Sequence, residues 1–200
     1  MKPEKQNRNA LMAGSRTVKM LLCAALVLFA AFAAGNLILG LWSAFQPAES
    51  FVLFAEGHPA FVELHLLWTQ RLSAEYLLPS AAEQAKTVYE ILFWSNWLKS
   101  LLAAAVLWEL RTIFRNIDLR GTPFLPENAC ALRNIGLLVI LLPLLPAAMR
   151  ILLFSLTGLL QGWYWDGEWL TYLFVGVLIL CLSRIFAYGC TLQQESDETI

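Results

Sequence analysis

Three polar residues that interrupt long apolar runs are the strongest candidates for chemistry in this sequence. Lys99 lies in an apolar run that begins after Glu90, Asn96 precedes it by three residues, and Arg150 interrupts a later run. Residues three apart share a helix face, and a charge inside a bilayer is costly unless it is paired or reaches water. Two interpretations stay open. In the first, the three residues form a polar site for an anion, a lipid head group or an acidic partner. In the second, the two cations either extend to the head groups or pair with acids. The acids within reach along the sequence are Glu90, Asp166 and Glu168.

Two histidines offer a second candidate chemistry, metal binding. His58 and His65 are seven residues apart and have Glu56 and Glu63 beside them, but Pro59 makes His58 a turn residue. The sequence contains no HExxH, CxxC or GxSxG pattern and no phosphate-binding glycine loop. We therefore expect no metal, no cofactor and no enzymatic activity.

The composition indicates a membrane protein. Hydrophobic residues make up 58% of the chain and charged residues only 14%, whereas charged residues are about a quarter of a typical soluble domain. The net charge of -1 gives no excess of positive charge for binding nucleic acid. The lipid bilayer is the first partner that the sequence predicts.

Four apolar runs are long enough to cross a bilayer, which takes about 20 residues. Backbone groups in hydrocarbon must be paired within the segment, so each run is predicted to be a helix. The predicted fold is all-α, a four-helix transmembrane bundle forming a single domain over residues 1–200, with a helical extracytoplasmic cap between spans one and two. The predicted segments are a cytoplasmic tail (1–19), span one (20–43), an outer helical segment (44–88), span two (89–110), a cytoplasmic turn (111–134), span three (135–159), an outer loop (160–167), span four (168–188) and a second tail (189–200).

Basic residues predict the orientation, because they are enriched in cytoplasmic segments. The outer segments contain only Arg71 and Lys86, so both termini are predicted to be cytoplasmic. The basic residues on the other side are Lys2, Lys5, Arg8, Arg16, Lys19, Arg111, Arg115, Arg120, Arg133 and Arg184.

The outer segment between spans one and two is predicted to be helical. Pro59 suits the first position of a helix, and Ser80 with Glu83 forms a capping box that would start another. Between them, apolar side chains recur at helical spacing. These side chains are Phe61, Leu64, Trp68, Leu72 and Tyr76.

The predicted cytoplasmic turn is the most specific stretch of the sequence. Gly121 permits a turn conformation that other residues avoid. Pro123 and Pro126 prevent a helix from continuing up to them, and Pro126 followed by Glu127 is a favourable helix start. The stretch therefore predicts a tight re-entry into span three, with Phe124 packed against the spans or lying in the interface.

This stretch resembles a bacterial membrane-protein family known as domain of unknown function 2975. The shared pattern is IF-x-N-x4-G-x-PF-x3-NA-x2-LR-x-IG, which includes Gly121, Pro123, Phe124, Asn128, Arg133 and Gly136. The family's second mark, a helix followed by an aromatic-x-x-G turn and an acidic ending, is carried by Phe186, Gly189, Leu192, Glu195, Asp197, Glu198 and Thr199. The resemblance implies a four-span protein of the bacterial inner membrane, often encoded beside a small helix-turn-helix regulator, with no established activity.

These features favour a multi-pass inner-membrane protein that acts as a non-catalytic regulatory or interaction subunit. Its protein partner would be a neighbouring helix-turn-helix regulator or a transport subunit. The alternative is a component of a small-solute or peptide transporter or exporter, which Lys99, Arg150 and the prolines of span three would serve. A lipid-modifying enzyme needs clustered acids or histidines that the sequence lacks, and the oligomeric state stays open.

Overall fold

Four long helices dominate the computed structural model, which describes residues 2–54, 60–64, 68–72, 81, 83–159 and 168–198. They are α1 (Lys2–Ala44), α2 (Ala85–Arg120), α3 (Pro126–Leu156) and α4 (Glu168–Glu198). Each contains a segment that is long and apolar enough to cross a membrane. The predicted four-helix fold of a multi-pass membrane protein is confirmed.

Two of the helices continue well past the predicted ends of their spans. With 36 residues, α2 is about 54 Å long at 1.5 Å per residue, whereas the hydrocarbon layer is about 30 Å thick. Ten residues of α2 follow Leu110, and ten residues of α4 follow Tyr188. Each extension adds about 15 Å of continuous helix.

The predicted helical cap is not confirmed, because three of the described stretches of the outer segment form strands. The strands β1 (Phe51–Phe54), β2 (Ala60–Leu64) and β3 (Trp68–Leu72) make an antiparallel sheet in the order β1-β2-β3. Phe51 pairs with Leu64, and Ala60 pairs with Leu72. The helix predicted across Phe61, Leu64, Trp68 and Leu72 is therefore wrong. The segment is rich in aromatic and β-branched residues, which suit strands, and three adjacent strands pair their backbone groups without the cost of nucleating a short helix.

Other parts of the outer segment lie outside the described residues. They include Ser80 of the predicted capping box, Tyr76 and both histidines. The outer loop predicted at 160–167 also lies outside them.

The chain divides into two compact units, of which the first contains residues 1–31, 102–142 and 170–200. Its core is formed by Ile113, Ala131 and Ile135, packed against side chains of α2, α3 and α4. Gly136 and Gly176 let α3 and α4 approach closely. A Cβ atom on Gly136 would lie 3.0 Å from the carbonyl oxygen of Gly176.

The second unit contains residues 32–101 and 143–169. Its core joins β1, the first turns of α2 and the end of α3, and includes Phe51, Tyr89 and Phe154. The Phe51 and Tyr89 ring centroids are 5.2 Å apart. Lys86 binds the end of α1, where its Nζ donates to the carbonyl oxygens of Ala44 and Gln46 at 2.8 Å each. A cation at this position satisfies carbonyls that the helix leaves unpaired.

Candidate functional site

The predicted intramembrane polar residues lie on two helices of the second unit. Asn96 and Lys99 are in α2, where their spacing puts them on one face, and Arg150 is in α3. Asn96 is exposed, whereas Lys99 and Arg150 are half-buried. The backbone oxygen of Asn96 accepts a hydrogen bond from the Ser100 hydroxyl at 3.1 Å. A joint site of all three side chains stays a prediction.

One of the acids proposed to pair with these cations has a different neighbour. Glu90 lies 4.0 Å from Lys86, one helical turn away. Asp166 and the side chain of Glu168 lie outside the described residues. Pro143 and Pro146 both lie inside α3, which continues past them to Leu156.

The family motif builds a tight connection between α2 and α3. The backbone N–H of Gly121 donates to the carbonyl oxygen of Ile117 at 2.8 Å, and Gly121 adopts φ 70°. That left-handed conformation ends α2 at little cost because glycine has no side chain. The next helix begins at Pro126, as its sequence predicted. The predicted tight re-entry is confirmed.

Asn128 is the buried centre of this connection. Its side chain is fully buried, its Nδ2 donates to the carbonyl oxygen of Pro123 at 3.0 Å, and its Oδ1 accepts from Asn116 Nδ2 at 2.9 Å. One amide therefore joins the end of α2, the loop and the first turn of α3. From the sequence, Asn116 and Asn128 were identified only as part of the family motif, and no contact between them was predicted. The available signal was an asparagine close to a helix start, where such side chains often bond to the backbone.

The connection is also held against α4. The Phe124 and Phe186 ring centroids are 5.4 Å apart, and the Thr122 hydroxyl donates to Gln193 Oε1 at 3.2 Å. A Cβ atom on Gly189 would lie 2.8 Å from the Phe124 ring. We call residues 116–128 together with Phe186, Gly189 and Gln193 the clasp.

The predicted turn at Gly189 is wrong, because α4 continues through it to Glu198. The glycine is required by packing, since it makes room for the Phe124 ring. Of the other residues in the C-terminal motif, Glu195 is exposed, the side chain of Asp197 is not described, and Thr199 lies outside the described residues.

Charged side chains tie α1 and α3 to α2 around the clasp. Lys19 Nζ lies 2.7 Å from Asp118 Oδ2, and both side chains are partly exposed. The exposed pair Arg120 and Glu127 is 3.1 Å apart and spans the turn. Exposed pairs contribute little stability, about 0–1 kcal/mol. These two ion pairs therefore favour one arrangement of the helix ends but add little to the free energy of unfolding.

The described residues contain no group of three or more His, Cys, Asp or Glu side chains arranged for a metal. Because both histidines lie outside these residues, the expectation of no metal stays a prediction. The clasp holds a carboxamide, a hydroxyl, aromatic rings and an ion pair. These groups hold helix ends in place, and none of them is a nucleophile hydrogen-bonded to a general base.

The chain was compared with known protein families, curated proteins and solved structures. Residues 72–200 match a family described as "Protein of unknown function (DUF2975)". These residues include the whole clasp. No curated protein and no solved structure matches the chain.

Proposed function

Because the chain belongs to the DUF2975 family, whose function is unknown, we propose a function from the geometry of the molecule itself. The protein is a non-catalytic membrane subunit that binds a protein partner through the end of the bundle that carries the clasp. The observation behind this proposal is the pair of helix extensions that the clasp joins. Residues 111–120 of α2 and 189–198 of α4 continue beyond the predicted spans.

The clasp connects these two extensions. The hydrogen bond from Thr122 to Gln193 and the packing of Phe124 on Phe186 hold the two helices together. Anchoring in the bilayer requires only the spanning segments. Two helix extensions that contact each other beyond the predicted spans therefore favour a further role, such as binding a partner. A preformed surface lowers the entropic cost of binding a partner.

The exposed side chains of this surface suit a protein partner. Leu119 is 75% exposed, and its neighbours along the chain are charged residues of both signs, Asp118 and Arg120, the second of which pairs with Glu127. Protein interfaces combine an apolar centre with a polar rim that selects the partner.

Orientation is part of the proposal. We propose that this surface lies in the cytoplasm, with both termini on the same side of a bacterial inner membrane, and the basic residues of the N-terminal tail and of the α2–α3 connection support this orientation. A cytoplasmic surface suits the partners considered above, a small helix-turn-helix regulator or a transport subunit.

Site-specific photocrosslinking in cells tests this proposal. A photoreactive amino acid at Leu119 samples the clasp surface, and one at Phe174, which is 66% exposed in the spanning part of α4, serves as the matched control. We expect one discrete protein adduct from position 119 that is absent from position 174. Glu198→Lys should weaken the adduct at unchanged protein level, because it reverses a charge beside the surface.

Two results contradict the proposal. One is that position 119 yields only lipid adducts or a crosslink to a second copy of the chain. The other is that both positions yield the same adducts.

A further inference from the structure

A cleft between α3 and α4 carries two cationic side chains. It has a volume of about 440 Å³, which falls in the usual range for small-ligand sites, about 300–1,000 Å³. Its walls include Arg133 from α3 and Arg184, Ser183, Thr191 and Gln194 from α4. Both walls belong to the first compact unit.

Packing of the two helices places both arginines at one end of the cleft. Gly136 of α3 lies against Leu180 and Gly176 of α4, where the helices approach closely. Arg133 comes three residues before Gly136, and Arg184 comes four residues after Leu180. Because the two helices run antiparallel at this contact, Arg133 and Arg184 both lie on the side toward the start of α3, each about one helical turn from the contact.

The described lining of the cleft carries two cationic side chains, and the nearby carboxylate of Glu127, which acts on Cys190 of the lining, pairs with Arg120. Neither cleft arginine forms an ion pair with a carboxylate in the part of the chain that the structure describes. Arg133 Nη2 has only a long contact of 3.7 Å with Cys130 Sγ, and the described lining includes no Asp or Glu. Pro126, the first residue of α3, lines the opposite end of the cleft. Two guanidinium groups on facing helices suit a phosphate, which arginine binds through two parallel hydrogen bonds.

Exposed apolar side chains continue from the arginines along both helices, away from the cleft. On α3, Leu137 and Leu141 follow Arg133 by four and eight residues and are exposed. On α4, exposed Val177 precedes Arg184 by seven residues. These apolar side chains lie within segments able to cross the membrane. A soluble phosphate would make no contact with these apolar side chains, whereas the acyl chains of a lipid would pack along them.

We propose that this cleft binds an anionic phospholipid, with the phosphate held by Arg133 and Arg184 and the acyl chains lying along Leu137, Leu141 and Val177. Basic pockets between spanning helices bind anionic head groups in this way. The lipid site is separate from the protein partner proposed above, and each can fail without the other.

Native mass spectrometry of the detergent-solubilised full chain tests the site. The probes are dioleoyl phosphatidylglycerol and dioleoyl phosphatidylcholine at equal concentrations. We expect the wild type to retain phosphatidylglycerol preferentially, and R133Q/R184Q to bind it about 30-fold more weakly, given the contribution of each of the two basic residues near an anionic lipid. R115Q is the matched control, because Arg115 is exposed on α2 and does not line the cleft. Its affinity should stay within about twofold of wild type.

Two further measurements complete the test. Inorganic phosphate should fail to displace the lipid. If it displaces phosphatidylglycerol at equal concentration, the ligand is a free anion and the lipid assignment is overturned. Photoreactive phosphatidylglycerol should label the wild type within 126–141 and 177–194, which decides the question even if the double variant does not fold. Equal labelling of all four helices, or unchanged lipid affinity in R133Q/R184Q, also overturns the proposal.

Discussion

Replacing Asn128 with alanine removes the amide that joins α2, the loop and α3. The change deletes the bond to the Pro123 carbonyl at 3.0 Å and the bond from Asn116 at 2.9 Å. Asn128 itself is fully buried, whereas its two partners are partly buried. Each lost bond costs about 1 kcal/mol, and the partners left unpaired add about 1 kcal/mol, the lower end of the range for buried groups. Alanine recovers about 0.5 kcal/mol of helix propensity. We expect the free energy of unfolding to fall by about 2–3 kcal/mol.

Equilibrium unfolding in mixed micelles of dodecyl maltoside and sodium dodecyl sulfate measures this change, with circular dichroism as the signal. The matched control is Asn36→Ala. Asn36 is half-buried, and its Nδ2 donates to the Phe32 carbonyl of its own helix in an exposed hydrogen bond of 2.8 Å. That substitution should change the free energy of unfolding by less than about 0.5 kcal/mol.

A double-mutant cycle separates the contact from general damage to the fold. Asn116→Ala should cost about 1–2 kcal/mol alone, and much less when Asn128 is already alanine, with a coupling energy of about 1 kcal/mol. Additive effects would show that the two amides do not interact. A loss in Asn128→Ala no larger than in the Asn36 control would refute the role of Asn128 as the centre of the clasp.

Two further predictions concern the packing of α3 on α4 and the orientation of the chain. Gly176→Ala should destabilise the fold by about 1–3 kcal/mol, because its Cβ would meet Ile140 and lie 2.8 Å from the Gly136 carbonyl oxygen. The control Gly35→Ala, with nothing within 4 Å of its Cβ, should be neutral or stabilising by up to about 1 kcal/mol in the same unfolding assay, and equal losses in both variants would contradict the contact. A reporter that is active only in the cytoplasm should be active when fused to the C-terminus, while alkaline phosphatase at the same position should be inactive. The reverse pattern would refute the proposed orientation.

The sequence alone was sufficient to predict the four spanning helices and the turn between α2 and α3. Runs of apolar residues near bilayer length leave helices as the only way to pair their backbone groups, so local composition decides the structure. The turn is equally local. Gly121 accepts a positive φ, and Pro126 cannot continue a helix but starts one well.

The strands of the outer segment could not be predicted in this way. Phe61, Leu64, Trp68 and Leu72 have helical spacing, yet they lie in β2 and β3. Strand pairing depends on residues distant in sequence, such as Phe51 opposite Leu64. Local periodicity therefore cannot distinguish a short amphipathic helix from a strand in this segment.

Tertiary structure also decided what the motif residues do. The family resemblance implied a turn at Gly189, but this glycine lies inside α4 and makes room for the Phe124 ring that packs on it. Asn128 had no predicted partner, because Asn116 and the Pro123 carbonyl meet it only when α2 and α3 fold back on each other. The cleft with Arg133 and Arg184 likewise forms only when α3 and α4 pack against each other. The sequence determined which segments are spanning helices and where the turn between α2 and α3 lies. Which side chains meet was decided by the packing of the helices, because that packing brings together residues that are far apart in the chain.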